Sequence, residues 1–598
     1  MLEENNLRTF ALFCAFLRLL IANDRYKIMM HMNIKQLRIA KGLTQNQCAE
    51  LLGISRRGYQ NLEKDDANTK TEKYQNYCKI INNYRNENLN FQTNVVVGND
   101  LLMFYERVKR FKKRYCYDYL LQYIRKDYYG KIAILYGLRR TGKTTMLFQL
   151  LKDIDYKKAA YIKIKDSDSI AMLIKDINLL KDNGYKYVLI DEITLLDDFI
   201  STAATLSDIY AMMGMKIVLS GTDSLGFAFT DNNELYDRNI SIHTSYISFK
   251  EFSYLTDIDD IDQYIEYGGT LKAENMSFDD PDYLNEEVAF RDDESTRKYI
   301  DTAISRNIQR SLKNYKNGDG FANLKKLYEQ GELTNIINRI IENMNHEFLI
   351  NVIDSKFKSS DLGSARQLLL HNKDDKIQTA LYDIDVEKVT TQLKEIIDIK
   401  EKEELKNKVD QKIMDQIKKY LLKLDLIQEV DVFYEDNSSE KRVIFTQPGM
   451  RYAITKALIY SLFEDAYFHS LTNKQKDIII DKIISDVKGR MLEDIVLLEM
   501  HNHADNNHLV FKYKTFMDGE IDVVNYDKYT YSLDVYEVKH SDKIIYEQQS
   551  KYLNNPDTSK NLIKLYGVIN QRYILYRGLD KEIENIKYLN VEKFLKSL

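Results

Sequence analysis

The sequence predicts a multidomain α/β protein, with an all-α N-terminal module, a parallel sheet flanked by helices, a helical middle and an α/β C-terminal domain. A chain of 598 residues is too long for one hydrophobic core, so about three to five domains are expected. Helical periodicity dominates residues 32–85 and 256–400, whereas short apolar runs typical of buried strands occur in residues 126–255 and 475–598. The chain therefore combines helical and α/β domains.

The composition is that of a soluble globular protein, with 30% charged residues and a net charge of −5. Four cysteines without CxxC spacing exclude a disulfide scaffold or a cysteine-based zinc site and fit a reducing cytosol. The apolar run Thr9–Ala22 carries Arg18 and is too short to span a bilayer. We therefore expect a cytoplasmic protein without a membrane partner, and a leader or misassigned start over residues 1–31.

Residues 32–85 predict a helix-turn-helix. Thr44 caps the second helix of this segment, Gly53 ends it and Ser55 caps the third. In this arrangement the second helix of the motif enters the major groove of DNA. The segment holds ten Lys and Arg against five Asp and Glu, which favours contact with nucleic acid. The basic, tyrosine-rich residues 86–125 are expected to be a linker.

The motifs LRIAKGLTQ, CAELLGIS and NLEKD of this segment resemble the Cro/C1-repressor family of helix-turn-helix domains. The resemblance implies an internal ion pair between Arg38 and Glu63. It makes DNA the expected partner, and a domain retained for protein docking is the alternative. The side chains that it implies face DNA are Gln45, Arg56, Arg57 and Gln60.

A phosphate-binding motif follows the strand pattern KIAILY of Lys131–Tyr136. Gly137–Thr144 match GxxxxGK[ST], and TTMLFQLLKDI continues as a helix. The glycines let backbone N–H groups wrap phosphates, Lys143 supplies positive charge to the β/γ oxygens, and the Thr144 hydroxyl ligates magnesium. ATP and Mg²⁺ are thus the predicted cofactors. The predicted ATP-binding residues are Gly137, Arg139, Arg140, Thr141, Gly142, Lys143, Thr144 and Thr145.

Two further buried-strand patterns end in polar residues. Tyr187–Ile190 is followed by Asp191 and Glu192, which are expected to hold magnesium and to polarise the attacking water. The second pattern, at residues 216–219, leads to Ser220 and Thr222, the candidates for sensing the γ-phosphate.

The G-x-R-R-x-G-K-T pattern of Gly137–Thr144 resembles a family of bacterial and archaeal AAA-type P-loop ATPases, over roughly residues 100–598. Members carry an arginine shortly before an S-F-x-E-F segment, as Arg238 precedes Ser248–Phe252 here. The resemblance implies an ATPase domain over residues 126–255. It also implies that Arg238 is an arginine finger, in cis or across a subunit interface, with a plain surface arginine as the alternative. We expect a homo-oligomer.

The same family has a winged-helix domain after the helical region, and residues 401–474 fit it. A helix pattern at residues 411–429 precedes two strand-like runs, Val430–Tyr434 and Arg442–Thr446.

The last segment, 475–598, carries a second set of chemical groups. The order Glu…Asp…Glu-x-Lys on a helix and two strands resembles the PD-(D/E)xK nuclease fold, which the same ATPase family carries at its C-terminus. The resemblance implies that Asp522 and Glu537 bind a divalent metal, Mg²⁺ or Mn²⁺, and that Lys539 orients water. A surface ladder of charges is the alternative. The candidate residues are Glu493, Glu520, Asp522, Glu537 and Lys539.

These features support two hypotheses. In the first, a DNA-binding ATPase controls a metal-dependent nuclease-like domain, and family analogy places it in defence against foreign DNA or control of mobile elements. In the second, the protein is an ATP-dependent transcriptional or assembly switch whose nuclease fold does not cleave.

Overall fold

A computed structural model describes residues 34–40, 43–64, 72–83, 90–196, 199–222, 237–271, 290, 293–305, 322–356, 386–404, 411–515 and 519–598. The leader or misassigned start expected over residues 1–31 lies outside them. The chain divides into two compact units. The first is drawn from the described residues of Met1–Lys109, Leu147–Asp191 and Gly214–Ile217, and the second from those of Arg110–Met146, Glu192–Met213 and Val218–Leu598.

The N-terminal module is all-helical, as predicted. Its helices are α1 (Ile34–Ala40), α2 (Gln45–Leu51), α3 (Arg56–Lys64) and α4 (Glu72–Asn83). Apolar residues at helical spacing form one buried core, which includes Ile34, Leu37, Cys48 and Tyr59. The Ser55 hydroxyl accepts a hydrogen bond from the Gly58 N–H at 3.1 Å, so it caps α3 as the sequence indicates.

The next region alternates strands and helices, as an α/β domain requires. Its elements are β1 (Asn94–Val97), α5 (Asn99–Val108), α6 (Tyr117–Arg125), β2 (Ile132–Tyr136), α7 (Lys143–Leu150), β3 (Ala159–Lys163), α8 (Ile170–Asp182), β4 (Tyr187–Asp191), α9 (Phe199–Thr205), β5 (Lys216–Gly221), β6 (Asn239–His243), α10 (Phe249–Thr256) and α11 (Ile261–Tyr267).

In the first unit the strand order is β1-β3-β4. Strand β1 is antiparallel to β3, and β3 is parallel to β4, with Lys163 opposite Asp191. In the second unit β5 and β6 lie on either side of β2, all parallel, with Leu135 opposite Ser220. These parallel strands are short apolar runs that bury nearly every residue of β2, β3, β4 and β5.

The expected linker at residues 86–125 is wrong for its described part, which forms β1, α5 and α6. Val108 is buried on α5, and Tyr117, Leu120 and Tyr123 are buried on α6. The many Lys and Arg residues of this segment masked a helical apolar period, and an amphipathic helix buries that apolar stripe while its basic face stays exposed.

The described residues in the middle of the chain form helices, as expected. Its described helices are α12 (Asp293–Ile300), α13 (Ala322–Glu329), α14 (Leu333–Lys356), α15 (Val386–Glu404) and α16 (Gln411–Lys423). Within the described part of the chain, no helix combines the length and apolar character that crossing a bilayer requires.

The C-terminal region is a large sheet with helices packed against it. Its elements are β7 (Ile427–Tyr434), β8 (Ser439–Phe445), α17 (Pro448–Leu462), α18 (Asn473–His503), β9 (His508–Lys514), β10 (Glu520–Asp527), β11 (Ser532–Val538), α19 (Tyr546–Gln549), α20 (Pro556–Tyr566), β12 (Val568–Tyr576), β13 (Lys581–Ile583), β14 (Ile586–Asn590) and α21 (Val591–Ser597).

This sheet has eight strands in the order β13-β14-β12-β11-β10-β9-β7-β8. The β7–β8 hairpin, placed by the sequence in a separate winged-helix domain, joins it through parallel pairing of β7 with β9. Val432 lies opposite Lys512, and Tyr434 lies opposite Lys514. The expected boundary at residue 474 is therefore not a break in the sheet.

Candidate functional site

The phosphate-binding motif forms a tight loop between β2 and α7. Gly137 and Gly142 have φ angles of 142° and 88°, and Arg140 lies between them in the left-handed region at 62°. Positive φ angles at these positions orient backbone N–H groups toward one side of the loop. The loop thereby forms an anion-binding concavity at the N-terminus of α7. A Cβ on Gly137 would come within 2.6 Å of the Thr244 hydroxyl, so the approach requires glycine.

Lys143 begins α7, and its ammonium lies across the loop. Its Nζ donates to the carbonyl oxygens of Gly137 at 2.8 Å and Leu138 at 2.6 Å. The Thr141 hydroxyl donates to the Leu138 carbonyl at 2.8 Å and so fixes the turn. These residues fit a nucleoside triphosphate, because the loop presents N–H groups, a cation and the Thr144 hydroxyl together. When bound, Mg-ATP would supply the phosphoryl group whose transfer to water is the expected chemistry.

Arg114 contacts the phosphate-binding loop, although no sequence motif singles it out. It is buried, and all five guanidinium donors are used. Its Nη1 donates to the carbonyl oxygens of Thr141 at 2.5 Å and Thr244 at 3.1 Å, and Nη2 donates to Tyr246 at 3.0 Å. Nε and Nη2 bind the Glu251 carboxylate at 2.6 and 3.1 Å. The guanidinium thus ties the phosphate-binding loop to α10. One arginine in a basic stretch gives no signal of this.

The predicted magnesium and water-activating residues stand at the end of β4. Asp191 belongs to the first unit, where it is buried and accepts from the Tyr161 hydroxyl at 2.9 Å and from Lys163 Nζ at 3.0 Å. Glu192 follows in the left-handed region, with φ of 59°, and begins the short turn Ile193–Leu195. Tyr161 and Lys163 were not predicted. They hold the Asp191 carboxylate in place, and the strand register β3–β4 brings them there.

The candidate sensors lie beside the loop. Ser220 pairs with Leu135 and Gly221 with Tyr136, so the end of β5 adjoins the start of the phosphate-binding loop. Ser220 and Thr222 are both buried. Ligands of parallel α/β sheets bind at this carboxyl edge, which is consistent with the predicted role.

Arg238 lies at the other end of the strands. Its carbonyl accepts from the Ile132 N–H at 3.0 Å, and its side chain pairs with Asp208 at 2.7 Å. Ile132 begins β2 and Gly137 follows it, so about 16 Å of strand separates Arg238 from the loop of its own chain. This position does not fit an arginine finger acting in cis, and it leaves a finger across a subunit interface and a plain surface arginine as the two alternatives.

The helix-turn-helix contains the implied ion pair. Arg38 Nε contacts the Glu63 carboxylate at 2.5 Å. Burial opposes ionisation of Glu63, but hydrogen bonds from Arg38 and Gln45 outweigh it and lower the pKa of this carboxyl. Gln45 donates to Glu63 at 2.7 Å and accepts from Gln60 at 3.0 Å. Among the residues expected to face DNA, the glutamines therefore belong to an internal network.

The two arginines of that set have a different position. Arg56 and Arg57 occupy the first turn of α3 and are exposed. The first turn of the second motif helix is the part that reads base edges.

The acidic groups of the C-terminal domain converge. Oxygens of Glu493 on α18 and of Glu520 and Asp522 on β10 all lie within 4.8 Å of one another. The predicted metal pair differs: Glu537 is not part of this trio. Its carboxylate binds Lys539 Nζ at 2.7 Å, while Asp522 accepts from the Val538 N–H at 2.8 Å. Sequence spacing could not predict that Glu537 lies apart from the trio, because this depends on how the carboxylates of different strands are oriented in the folded domain.

Two cations that the sequence reasoning did not weigh lie in this cluster. Lys512 is buried on β9, and its Nζ is 3.4 Å from Glu493, 3.1 Å from Glu520 and 3.3 Å from Asp522. Arg490 Nη1 contacts Glu493 at 2.5 Å and Glu520 at 2.7 Å. The sequence signal for Lys512 is a lysine within the otherwise apolar or aromatic run Val510–Tyr513, which is buried.

The cluster is close to electrically balanced. Glu493, Glu520, Asp522 and Glu537 face Arg490, Lys512 and Lys539. Burial opposes the charge on Glu520, yet Lys512 and Arg490 lower its pKa to about 2. Burial raises the pKa of Glu537 to about 8 against the effect of Lys539. Carboxylates suit Mg²⁺ or Mn²⁺, but Lys512 contacts the same oxygens, so the arrangement does not fit a metal ion unless this lysine moves.

Comparison with known proteins identifies two domains. Residues 129–253 match the family model described as AAA domain, and residues 34–84 match the model described as Helix-turn-helix. The chain thus carries an AAA-type ATPase domain and a helix-turn-helix, as the sequence motifs predict. Both matches lie on the N-terminal side of the acidic cluster.

Two further similarities add little on function. The chain is 27% identical over 207 residues to "Uncharacterized protein MJ1544" of Methanocaldococcus jannaschii, across 31% of this chain and 44% of the relative. It therefore spans less than half the length of that protein. Among solved structures, "S. cerevisiae Hsp104-ADP complex" matches with 12% identity and a TM-score of 0.21, over 67% of this chain and 58% of that one. A TM-score this low does not establish a shared fold.

Proposed function

We propose that this protein is a DNA-binding, Mg²⁺-dependent ATPase that passes the state of its nucleotide site to the C-terminal α/β domain. The AAA domain and the helix-turn-helix support the ATPase and DNA-binding parts. The transmission rests on one observation: a chain of buried polar contacts runs from the phosphate-binding loop to α18, which carries Glu493.

The first link of this chain is Arg114. Its guanidinium joins the Thr141 carbonyl of the loop to the Glu251 carboxylate of α10. Buried charge-assisted pairs of this kind have fixed geometry, because the fork of an arginine is planar and each donor has one acceptor here. A shift of the loop on nucleotide binding would therefore move α10.

The second link is Glu499 on α18. Its Oε1 accepts from the Phe249 N–H at 2.6 Å, at the first residue of α10. Glu499 is buried, and Oε2 has no hydrogen-bond partner among the described residues. Burial raises the pKa of Glu499 to about 8. Because Glu493 lies less than two turns away on α18, movement of α10 would reach the acidic cluster.

In this proposal the nucleotide-site residues keep their predicted roles. Lys143 contacts the β/γ phosphates, Thr144 and Asp191 hold magnesium, and Glu192 polarises water. Arg238 acts across an interface between copies of the chain, since its own loop lies at the far end of β2. The helix-turn-helix binds DNA through Arg56 and Arg57.

The output of the C-terminal domain has two candidate forms. Metal-dependent cleavage is one, favoured by the convergence of Glu493, Glu520 and Asp522. A nuclease-like fold without cleavage is the other, favoured by Lys512, whose ammonium contacts the three carboxylates where a metal would sit. The position of Lys512 makes the second form the better supported. Plasmid cleavage with Mg²⁺, assayed with and without ATP, separates them.

Hydrogen exchange on the full chain tests the transmission. The Glu192→Gln variant should retain bound ATP, so ATP should slow exchange in α10 and α18 as well as in the loop. Lys143→Ala should show no change in any of these. Arg114→Lys, compared with Lys113→Met as the matched control, should keep protection of the loop and lose it in α18. Protection that stays confined to the loop in the Glu192→Gln variant would contradict the proposal.

A further inference from the structure

A cavity of about 540 Å³ lies between α14, α16, β8, α17 and α18. Its wall contains six basic residues and three acidic ones, Glu347, Asp415 and Glu440. The basic residues are Lys418, Lys441, Arg442, Arg451, Arg490 and Lys514. The wall thus has an excess of positive charge, in a protein that is slightly acidic overall. No predicted function accounts for it.

Arg451 is the unusual member. Only 5% of its surface is exposed, and its guanidinium lies between the rings of Phe348 and Phe445, with its carbon 4.4 and 4.5 Å from their centroids. Its Nε has no hydrogen-bond partner among the described residues. A buried donor without an acceptor costs free energy, so such a group indicates a missing partner.

The nearest carboxylate does not supply that partner. Asp494 Oδ1 binds Arg442 Nε at 2.5 Å, and its other oxygen is 3.5 Å from Arg451 Nη1. Two guanidinium groups therefore share one carboxylate. Burial, and to a smaller extent Arg442, lower the pKa of Arg451 to about 10, so at neutral pH the group still carries its charge. Asp494 and the more distant Glu347 favour this charge, but neither supplies a hydrogen-bond acceptor to Arg451 Nε.

We propose that this cavity binds a phosphate group, with Arg451 and Arg442 as its principal ligands and Lys418 at its margin. The planar donor forks of two arginines match the oxygens of a phosphate, and one of those oxygens would give the buried Arg451 Nε the acceptor that it lacks among the described residues. The volume exceeds that of a free anion and falls in the range of pockets that hold small organic ligands. The bound phosphate group could therefore belong to free phosphate, to a nucleotide or to the end of a nucleic acid.

Titration calorimetry on the full chain tests this proposal, in a Lys143→Ala background that removes binding at the phosphate loop. The probes are inorganic phosphate and a 5′-phosphorylated thymidine dinucleotide. Arg451→Lys keeps the charge and loses the fork, and Lys418→Met removes a partly exposed ammonium at the margin that also pairs with Glu429 at 2.7 Å. Each should weaken binding by about ten-fold or more, while the exposed Lys419→Met on the same helix should not.

The two probes distinguish the sources. Equal affinity for both would assign the site to free phosphate, and tighter binding of the dinucleotide would assign it to a nucleotide or a nucleic-acid end. The proposal is overturned if neither probe binds saturably, or if affinity is the same in the parent, Arg451→Lys and Lys418→Met proteins.

Discussion

Lys143 and Glu192 carry different parts of the proposed ATP chemistry, and substitution separates them. Lys143→Ala removes the cation that faces the phosphates, so both ATP binding and turnover should be lost. Glu192→Gln removes only the charge that polarises water, so binding should persist while turnover falls by on the order of 10²–10⁴. Phosphate release and nucleotide binding measured on both variants check this. Wild-type turnover in Glu192→Gln would show that the residue has another role.

Lys512 gives the second prediction at this scale. Lys512→Met removes the cation that Glu493, Glu520 and Asp522 share. Arg490 still contacts Glu493 and Glu520, so the loss falls mainly on the buried Asp522 and should destabilise the C-terminal domain by roughly 3 kcal/mol, the lower end for a broken buried pair. Mn²⁺ should then restore the melting temperature of the variant and leave the wild type unchanged.

Lys514→Met is the matched control on the same strand, because Lys514 is partly exposed and pairs with Glu440 outside the trio. Equal Mn²⁺ responses in the wild type and Lys512→Met would show that the lysine does not occupy the place of a metal ion.

Helix α18 should report pH through Glu499. Its pKa is raised from 4.5 to about 8, so the folded state holds a proton that the unfolded state releases in that window. The contribution of Glu499 to the free energy of unfolding should be greatest below about pH 4.5. It should fall, by a few kcal/mol at most, as the pH rises to about 8.

Glu499→Gln mimics the protonated form and should flatten this part of the stability curve, measured by thermal melting across the window. Asp481→Asn, at an exposed position on the same helix, should keep the wild-type slope. If Glu499→Gln retains the full slope, another group is responsible.

Helix α3 provides the DNA prediction. Replacing Arg56 and Arg57 with Ala should reduce sequence preference more than residual affinity, because only these exposed side chains of the implied set are not held in the internal network. The slope of log affinity against log salt should fall by about 1–2 if the arginines also contact phosphates. Fluorescence anisotropy with duplex DNA measures both, and Lys64→Ala at the end of the same helix is the control. Unchanged binding would point to a protein-docking role.

Structural elements were predicted best where all the residues that determine them lie in one short segment of the sequence. The phosphate-binding loop is such a case, since Gly137, Gly142 and Lys143 are close in sequence and their backbone demands are local. The ion pair between Arg38 and Glu63 was also predictable, by resemblance. Arg114 and Lys512 were not, because their partners lie on other elements and burial, which decides their role, has no local pattern.

At the scale of the whole molecule, the sequence indicated the kinds of domain better than their boundaries. The segment around residues 86–125 was misjudged because basic residues on one helix face hide an apolar stripe on the other. The pairing of β7 with β9 was missed because β8 and the helices α17 and α18 separate these two strands along the chain. Parallel pairing of this kind is set by packing of the whole domain. The sequence pattern of a hairpin such as β7–β8 does not change when a third strand pairs with it.

The β7–β9 pairing also decides where the chain can be cut. A fragment that begins at residue 475 keeps β9 and its neighbour β10 but loses β7, so the backbone of Lys512–Lys514 becomes part of an open sheet edge. Such edges recruit further strands and promote self-association. Light scattering should therefore find fragment 475–598 more strongly self-associated than fragment 411–598, which retains β7 and β8. The C-terminal α/β domain from residue 475 onward is then not a transferable module, and fusion or grafting would require the hairpin to accompany it.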